Sequence, residues 1–488
     1  MSELRWVTRL HGTAPQGPRS LFFLGLAGSL ACHDLSGLAG TQQLPSGTPN
    51  PSTYNTATGA LALYQNAIVA FQFNAGGTAQ SIGGTELQSQ PGAFVDFVLQ
   101  SGLLTDELRD GTIIGCTTSQ CIPIGTGSEV SVDARQLQAG IGQATDNLYT
   151  ELQGVRNDAI EGIGALATYD DSAPTALRGH LYALQGYAEL LLADLFCSGI
   201  PLSTQVFGGD YTYRAGSSTD AVYQDAQTQF TTAIVLADSS DSTQIANLAR
   251  IGQGRALLAR GQYAAAALAV AFVPDTFTYQ FSVAWGGSNS SALIGGYSSN
   301  FSVSDSEGGN GLPYITSGDP RTASQVAGIN SNGAQLYNPV KYGGASPAEL
   351  PIVVASGIEA RLIQAEAALQ VKDYGGWLTF LNRARAVAAP SLPLLNIDPG
   401  AGLSGAAADS VRVSMLFRER AFDLFLTGHR QGDLRRLIRQ YGRQANQVYP
   451  SGHYPVPSVG DYGTDVTAPI PTAESANPLF HGCLSRSA

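Results

Sequence analysis

Aromatic side chains provide the clearest chemistry in this sequence. They concentrate in residues 273–350, a stretch rich in Gly, Ser and Asn that lacks a helical pattern. Flat apolar rings beside neutral hydrogen-bonding groups suit a sugar, because sugar rings have apolar faces and a rim of hydroxyls. We therefore predict a loop-built ligand-binding surface here; the alternative for each ring is simple packing onto the rest of the fold. The ligand-binding candidates are Trp285, Tyr297, Tyr314, Tyr337 and Tyr342.

Motifs for covalent or phosphate chemistry are missing from the sequence. It contains no Gly-x-Ser-x-Gly, no Gly-x-x-x-x-Gly-Lys and no His-Glu-x-x-His. Asp170 with Asp171, and Asp305 with Glu307, have the residue types of a glycosidase pair. Carboxylates this near in sequence are more often solvated turns or helix caps. We expect a binding protein without catalytic residues or a cofactor.

The five cysteines favour disulfides over a metal site. No pair has Cys-x-x-Cys spacing and the six histidines are scattered, so no metal is expected. If Cys32 does not take part in a disulfide, the other four cysteines can pair in three ways. We favour Cys116 with Cys121, which would close a small loop, and Cys197 with Cys483, which would tie the C-terminal tail to a helix end.

The composition argues against two classes of partner. The chain has 488 residues, of which 13% are charged, and a formal net charge of −12. Nucleic acid and anionic membrane surfaces are poor partners for such a chain. After the N-terminus, no apolar run approaches the ~20 residues that a transmembrane helix needs.

Residues 1–31 are typical of a targeting segment. Arginines precede an apolar run, Leu21 to Ala31, that is too short to span a bilayer. Ser29-Leu30-Ala31 then precedes Cys32. Two hypotheses remain open: cleavage with a lipid added to the Cys32 thiol, or an ordinary signal cut that leaves a free cysteine. Residues 32–55 are rich in Gly, Pro, Ser and Thr and predict a flexible tether.

Helical pairs dominate the remaining chain. Gly254 and Ala266 stand twelve residues apart with a Gly turn between them, the spacing of tetratricopeptide units, and the spacing recurs at Ala365 and Trp377. Such pairs bury their apolar faces by stacking. The predicted fold is therefore mainly α: a tetratricopeptide-like α-solenoid with long irregular loop insertions and little β. Its expected parts are residues 56–272 and 351–446 as helical solenoid, 273–350 as the candidate ligand-binding loops, and 447–488 as a C-terminal tail.

The stretch from residue 417 to 436 predicts a helix, a left-handed turn at Gly428 and a second helix. Oppositely charged residues stand three apart in it, a spacing at which side chains meet on one helix. We expect His429 to be a solvated or capping residue. The expected pairs are Arg420 with Asp423, Arg430 with Asp433, and Asp433 with Arg436.

The same stretch resembles the C-terminal pattern of the RagB/SusD family of outer-membrane nutrient-binding lipoproteins. Asp423 and Thr427 stand where that family usually has glutamates. Further similarities lie at 178–202, at Asp319-Pro320-Arg321, at 359–367 and at 469–478. The matching residues are Arg418, Glu419, Arg420, Gly428, Arg430, Asp433, Leu434 and Arg436.

This resemblance implies a surface-exposed protein of the outer membrane. It implies a lipid on Cys32, a SusC-like TonB-dependent transporter as partner, and an oligosaccharide or similar nutrient as ligand. Two other functions are kept open: a surface or periplasmic scaffold that binds a protein, and a secreted glycan-degrading enzyme. Exposed rings in 273–350 would argue against the scaffold, which has no need of them. Release of product from an oligosaccharide would indicate the enzyme.

Overall fold

The structure is a computed structural model of the chain. It describes residues 55–74, 90–116, 129–139, 144–205, 210–284, 301–342 and 349–488.

Helices form most of the described fold, which confirms the predicted mainly α class. None of them combines the length and the hydropathy that crossing a lipid bilayer requires. The helices are α1 Ala57–Gln72, α2 Ala93–Leu104, α3 Val130–Asp133, α4 Ala144–Tyr169, α5 Thr175–Leu195, α6 Thr219–Asp238, α7 Thr243–Ala259, α8 Tyr263–Ala269, α9 Gly357–Gln370, α10 Tyr374–Ala388, α11 Gly405–Asp423, α12 Arg430–Tyr441 and α13 Ala445–Val448.

Consecutive helices stack as the tetratricopeptide spacing predicts. The order of packing is α4 on α5, α5 on α6, α6 on α7, α7 on α8, α8 on α9 and α9 on α10. Gly254 lies where α7 meets its neighbours: a Cβ there would lie 2.7 Å from Val270 Cγ1 and 3.1 Å from Ile363 Cδ1. Close approach of the backbones therefore requires a small residue at this position.

Trp377 occupies the corresponding small-residue position of the next helix pair. It is fully buried in a second core cluster formed by α9, α10, α11 and α12. In this pair, a large ring fills the space between the helices, whereas at Gly254 the backbones approach closely and leave no such space.

Short strands pair in antiparallel twos. Each strand finds one described partner: β1 with β2, β3 with β9, β4 with β7, β5 with β6, β8 with β12, and β10 with β11. The strands are β1 Phe73–Asn74, β2 Gln90–Pro91, β3 Leu108–Asp110, β4 Ile200–Pro201, β5 Thr204–Gln205, β6 Tyr211–Thr212, β7 Gly216–Ser217, β8 Thr278–Ala284, β9 Phe301–Val303, β10 Ser324–Ile329, β11 Gln335–Pro339 and β12 Glu349–Ser356.

Residues 273–350 are less irregular than the sequence suggested. In β8, Tyr279 and Phe281 are buried whereas Gln280 is exposed, the alternation of a strand with one face on the core. β8 pairs with β12 over seven residue pairs, from Glu349 with Ala284 to Ser356 with Thr278. The sequence pattern did not reveal this pairing, because it joins segments about 70 residues apart.

The C-terminal tail packs back onto earlier elements. Cys197, at the end of α5, forms a disulfide with Cys483, with 5.9 Å between the Cα atoms. Bridges of the backbone join Phe196 to Ala468 and Ser198 to Ser485. Cys116 is also disulfide-bonded; Cys121 and Cys32 lie outside the described residues.

Candidate functional site

The most densely charged part of the described structure is the junction, which we define as α11, the turn 424–429 and α12. Arg420 donates two hydrogen bonds to Asp433, from Nε to Oδ2 at 2.8 Å and from Nη2 to Oδ1 at 2.9 Å. Arg436 donates to the same Asp433 at 2.7 Å and also reaches Glu366 on α9. Asp433 therefore joins the two helices of the junction, and Arg436 joins them to α9.

Two of the three predicted ion pairs of the junction were wrong. Arg430 does not pair with Asp433; it donates to both oxygens of Asp106, at 2.6 and 2.8 Å. Asp423 accepts from Arg321 instead of Arg420. Only Asp433 with Arg436 forms at the predicted spacing. The reason is burial: these helix faces pack against other segments, whose charges are nearer than those of the same helix.

Arg321 connects the 273–350 region to the junction. Its guanidinium donates to Asp319 at 2.7 Å, to Glu419 at 2.7 Å and to Asp423 at 2.8 Å, and Arg385 shares Glu419. Asp319 also caps the short helical turn that follows it. The Asp-Pro-Arg turn thus has a structural role.

Electrostatics in the junction follow from these contacts. Burial acts to raise the pKa of Asp433, but Arg420 and Arg436 outweigh it and hold the pKa well below its ordinary value. Burial lowers the pKa of His429, so its ring is neutral near pH 7 although Glu359 lies 3.0 Å from Nε2. His429 is fully enclosed and therefore not solvated; it occupies the N-cap position of α12, without a capping hydrogen bond from its side chain.

The turn of the junction has the predicted left-handed glycine. Gly428 has φ of +72°, and a Cβ there would lie 2.9 Å from the Phe97 ring. The Gly428 carbonyl accepts from Arg255 at 2.7 Å, and the Leu426 amide donates to Glu107 at 2.8 Å. Both the backbone angle and the space at this position therefore require glycine.

The charged cluster of Arg420, Asp433 and Arg436 leaves no room for a substrate beside it. The cavity lined by Asp194, Arg255, Arg420 and Asp433 has a volume of about 10 Å³, which is space for roughly one water. Within the described residues, no group of three or more His, Cys, Asp or Glu is placed to hold a metal ion. The charges of the junction fix the fold.

The aromatic candidates separate into three outcomes. Trp285 and Tyr297 lie outside the described residues. Tyr314 is 1% exposed and stacks on Phe425 with ring centroids 4.8 Å apart. Tyr342 is 5% exposed and donates its hydroxyl to the Leu426 carbonyl. Tyr314 and Tyr342 are therefore core residues that seat the junction, which is the packing alternative considered for each ring.

Tyr337 is the remaining candidate, and it is half-buried on the β10–β11 hairpin. Its hydroxyl donates to Gln335 Oε1 at 3.0 Å. The tip of the hairpin is held by Asn330, whose Nδ2 donates to the carbonyls of Gly111 at 2.8 Å and Ile114 at 2.7 Å. Val326 on the partner strand is 53% exposed. The hairpin thus presents a partly apolar surface on a fixed support.

An exposed pair of rings that the sequence reasoning missed lies at β6. Tyr211 is 46% exposed and Tyr213 is 42% exposed, and their centroids are 4.9 Å apart in an edge-to-face arrangement. We call this pair the tyrosine platform. The signal was present in the sequence: residues two apart in an extended segment share one face, and glycines precede this Tyr-x-Tyr.

The tyrosine platform is anchored to the helices by a buried arginine. Arg156 on α4 pairs with Glu189 on α5 at 2.9 Å and donates to the carbonyls of Ser203 and Leu202. Ser203 Oγ accepts from the Arg214 amide at 3.0 Å. The platform therefore has exposed rings on a backbone that the scaffold holds in place.

The two carboxylate pairs considered from the sequence take part in local structure. Asp305 Oδ1 accepts from the amides of Ile315 and Thr316 at 2.8 and 3.0 Å. Glu307 is buried and accepts from Ser304 at 2.6 Å and Tyr462 at 2.9 Å. Asp170 accepts from Ser172 in an exposed turn. Each of these three carboxylates therefore accepts hydrogen bonds within a turn or from the C-terminal tail.

Comparison with known proteins finds similarity in structure and none in sequence. No protein-family model matches the chain, and no curated protein matches it. A SusD superfamily protein from Bacteroides thetaiotaomicron is 13% identical with a TM-score of 0.62; the match covers 88% of this chain and 100% of that one.

Two further solved structures carry a description of a ligand. A SusD-like carbohydrate binding protein from Bacteroides vulgatus is 14% identical with a TM-score of 0.53, and the match covers 78% of this chain and 83% of that one. A laminarin binding SusD-like protein is 14% identical with a TM-score of 0.54, and covers 90% of this chain and 100% of that one. At such identities the likeness establishes the fold.

Proposed function

We propose, on the premise that the chain has the SusD-like fold, that it binds an oligosaccharide at its surface. The observation that carries this proposal is the tyrosine platform, two exposed rings on a rigid scaffold whose fold is shared with carbohydrate-binding proteins. Sugar rings pack their apolar faces on such rings, and their hydroxyls bond to neutral groups around them. The proposed mechanism is binding without covalent chemistry.

We further propose that the β10–β11 hairpin contributes to the same function. Tyr337 and Gln335 offer a ring edge and a side-chain amide, and the hairpin lies in the region that the sequence singled out. Trp285 and Tyr297, from the same region, are kept as candidate contacts. Since no ion pair to the ligand is implied, binding should depend only weakly on salt.

Delivery of the ligand and anchoring to the membrane are parts of the same proposal. Cys32 follows an apolar run and Ser29-Leu30-Ala31, which suits the lipid-anchored arrangement that the family resemblance implies. A lipid there, followed by the Gly- and Pro-rich segment to residue 55, would tether the protein to the outer membrane. A SusC-like TonB-dependent transporter would then receive the oligosaccharide.

Titration with laminarin tests the binding proposal first, because a protein with the same fold binds it. A panel of other neutral glycans follows if laminarin fails. We expect the double variant Tyr211→Ala/Tyr213→Ala to weaken binding at least about tenfold, since each lost ring contact contributes on the order of 1 kcal/mol.

The matched control is Tyr169→Ala. That partly exposed tyrosine ends α4, away from the platform, and should leave affinity unchanged. Equal affinity of the platform variant and the wild type would refute the platform as a binding site. Failure of the whole panel would refute glycan binding.

Recovery from solubilised outer membranes tests the delivery proposal. Affinity-tagged protein should retain a large β-barrel transporter, and its intact mass should include an acyl increment on Cys32. The variant Cys32→Ala should lose the acyl increment and leave the membrane fraction. Isolation without any barrel protein would contradict the proposed partner while leaving glycan binding intact.

A further inference from the structure

A second cavity lies between β12, the first turn of α9 and the turn of the junction. Its volume is about 130 Å³, close to the ~150 Å³ of an engineered protein cavity that holds one benzene. It is therefore large enough for one small ring or one branched aliphatic group. One wall is aliphatic, with Val353, Val354, Ile358 and Leu424 as its main members.

Asp423 contributes to this cavity a buried carboxylate that, in the part of the chain that the structure describes, has one of its two oxygens without a hydrogen-bond donor. Its side chain is fully buried, and its Oδ1 accepts from Arg321 at 2.8 Å. Among the described residues, no hydrogen-bond donor reaches its Oδ2. A buried carboxylate oxygen without a donor is costly, and native structures rarely keep one. The cavity thus holds an acceptor that a ligand with a charged donor would complete.

The cavity also contains a charged donor and the positive end of a helix. Lys341 lines it and donates to the Phe425 carbonyl, which uses one of the three donors of its ammonium. α9 has 14 residues, and its first turn contributes Ile358 and Glu359 to the lining. The N-terminus of a helix favours a negative group beside it. Glu359 also lines the cavity, with its Oε1 3.0 Å from Nε2 of the neutral His429 ring.

We propose that this cavity takes up the branched aliphatic side chain of a free α-amino acid, with the ammonium and carboxylate of the amino acid against its polar wall. The ammonium of the amino acid donates to Asp423 Oδ2, and its carboxylate accepts from Lys341 beside the start of α9. The side chain packs against Val353, Ile358 and Leu424. A neutral sugar fits less well, because hydrogen bonds between charged partners are about twice as strong as neutral ones.

The residue types at two positions explain why the space exists. Asp423 and Thr427 both line the cavity, and both have short side chains. Thr427 turns its hydroxyl away, to the Leu424 carbonyl at 2.6 Å. Longer side chains at these positions would occupy the volume that is open in this chain.

Calorimetric titration of the full chain with L-leucine tests the proposal. Asp423→Asn keeps the shape and an acceptor for Arg321 but removes the negative charge, so we expect affinity to fall about tenfold or more. Thr278→Trp places a large ring at the exposed rim and should abolish binding.

Gln280→Trp is the matched control for the rim variant. It lies two residues along the same strand, is also exposed and does not line the cavity, so it should bind L-leucine like the wild type. Binding of L-leucine that survives both Thr278→Trp and Asp423→Asn, or absence of binding at millimolar concentrations, would overturn the proposal. So would equal affinity for glucose.

These outcomes are independent of glycan binding. The platform variant Tyr211→Ala/Tyr213→Ala should bind L-leucine normally, and Thr278→Trp should bind glycan normally. Loss of one ligand without the other therefore identifies which of the two proposals fails.

Discussion

The junction and the tyrosine platform use side chains in opposite ways. In the junction, Arg420, Arg436 and Asp433 are buried and pair with each other. At the platform, the two rings are nearly half exposed, and the charged Arg156 and Glu189 lie beneath them inside the helical scaffold. In these two regions, buried ion pairs hold the backbone segments in place, while uncharged rings face solvent. In a chain with few charged residues, this division leaves the platform suited to an uncharged ligand.

Breaking the junction should have the largest effect on stability. Asp433→Ala leaves Arg420 and Arg436 buried without a shared carboxylate, so we expect the free energy of unfolding to fall by about 3–5 kcal/mol. Denaturant unfolding measures it. The control is Asp238→Ala, which breaks an exposed pair with Arg250 and should cost about 1 kcal/mol or less. Equal losses in the two variants would show that burial does not distinguish these pairs.

The turn of the junction should be the next most sensitive position. Gly428→Ala forces a Cβ into a left-handed backbone and against Phe97, so we expect a loss of about 2 kcal/mol or more. Gly402→Ala separates the two causes, because Gly402 has φ of +84° and a Cβ there would meet nothing within 4 Å. If both substitutions cost the same, contact with Phe97 contributes nothing.

The pH dependence should have opposite signs at two buried carboxylates. Burial raises the pKa of Asp110 to about 6, the Asp133 charge adds to this, and bonds from Thr112 oppose it. Its unfolded value is ~3.9. The folded state therefore holds the proton more tightly, and the stability it contributes below pH ~4 is lost as the pH rises to about 6.

Asp433 behaves in the opposite sense. Its pKa is held low, so its contribution is present at neutral pH and is lost only as the pH falls below about 4. We expect Asp110→Asn to remove on the order of 1–2 kcal/mol of the decline between pH 4 and 6. Unfolding curves at several pH values measure this. An unchanged slope in the variant would mean that Asp110 titrates normally.

The platform should show the smallest effect on stability. Tyr211→Ala removes an exposed ring, so the free energy of unfolding should change by about 0.5 kcal/mol or less, even though glycan affinity falls. Thermal unfolding of the Tyr211→Ala variant checks this. A loss as large as that of Gly428→Ala would make the platform part of the core and end the contrast between the two regions.

Local pattern predicted the helical part of the fold well. The sequence placed helical solenoid at 56–272 and 351–446, and the long helices α4 to α7 and α9 to α12 lie within those ranges. The small residue at Gly254 and the left-handed turn at Gly428 were also predicted, because each depends on the chain within a few residues of it.

Partners distant in sequence could not be predicted in the same way. Arg430 finds Asp106 at a separation of 324 residues, and a spacing rule for one helix cannot identify that partner. Likewise, aromatic content singled out residues 273–350, which include Tyr314 and Tyr342, but it could not show which of these rings face the core. Tyr211 and Tyr213 were missed because their Tyr-x-Tyr signal is short and lies outside the aromatic-rich region 273–350.

The return of the C-terminal segment to the middle of the fold has a consequence for biogenesis. Asp133 accepts from Tyr454, Arg135 donates to the Pro450 carbonyl, and Cys197 is cross-linked to Cys483. Early helices thus obtain their last partners only when the final residues of the chain have left the ribosome. A nascent chain that is stalled before residue 450 therefore lacks these contacts, and we expect the segments they hold to be sensitive to protease.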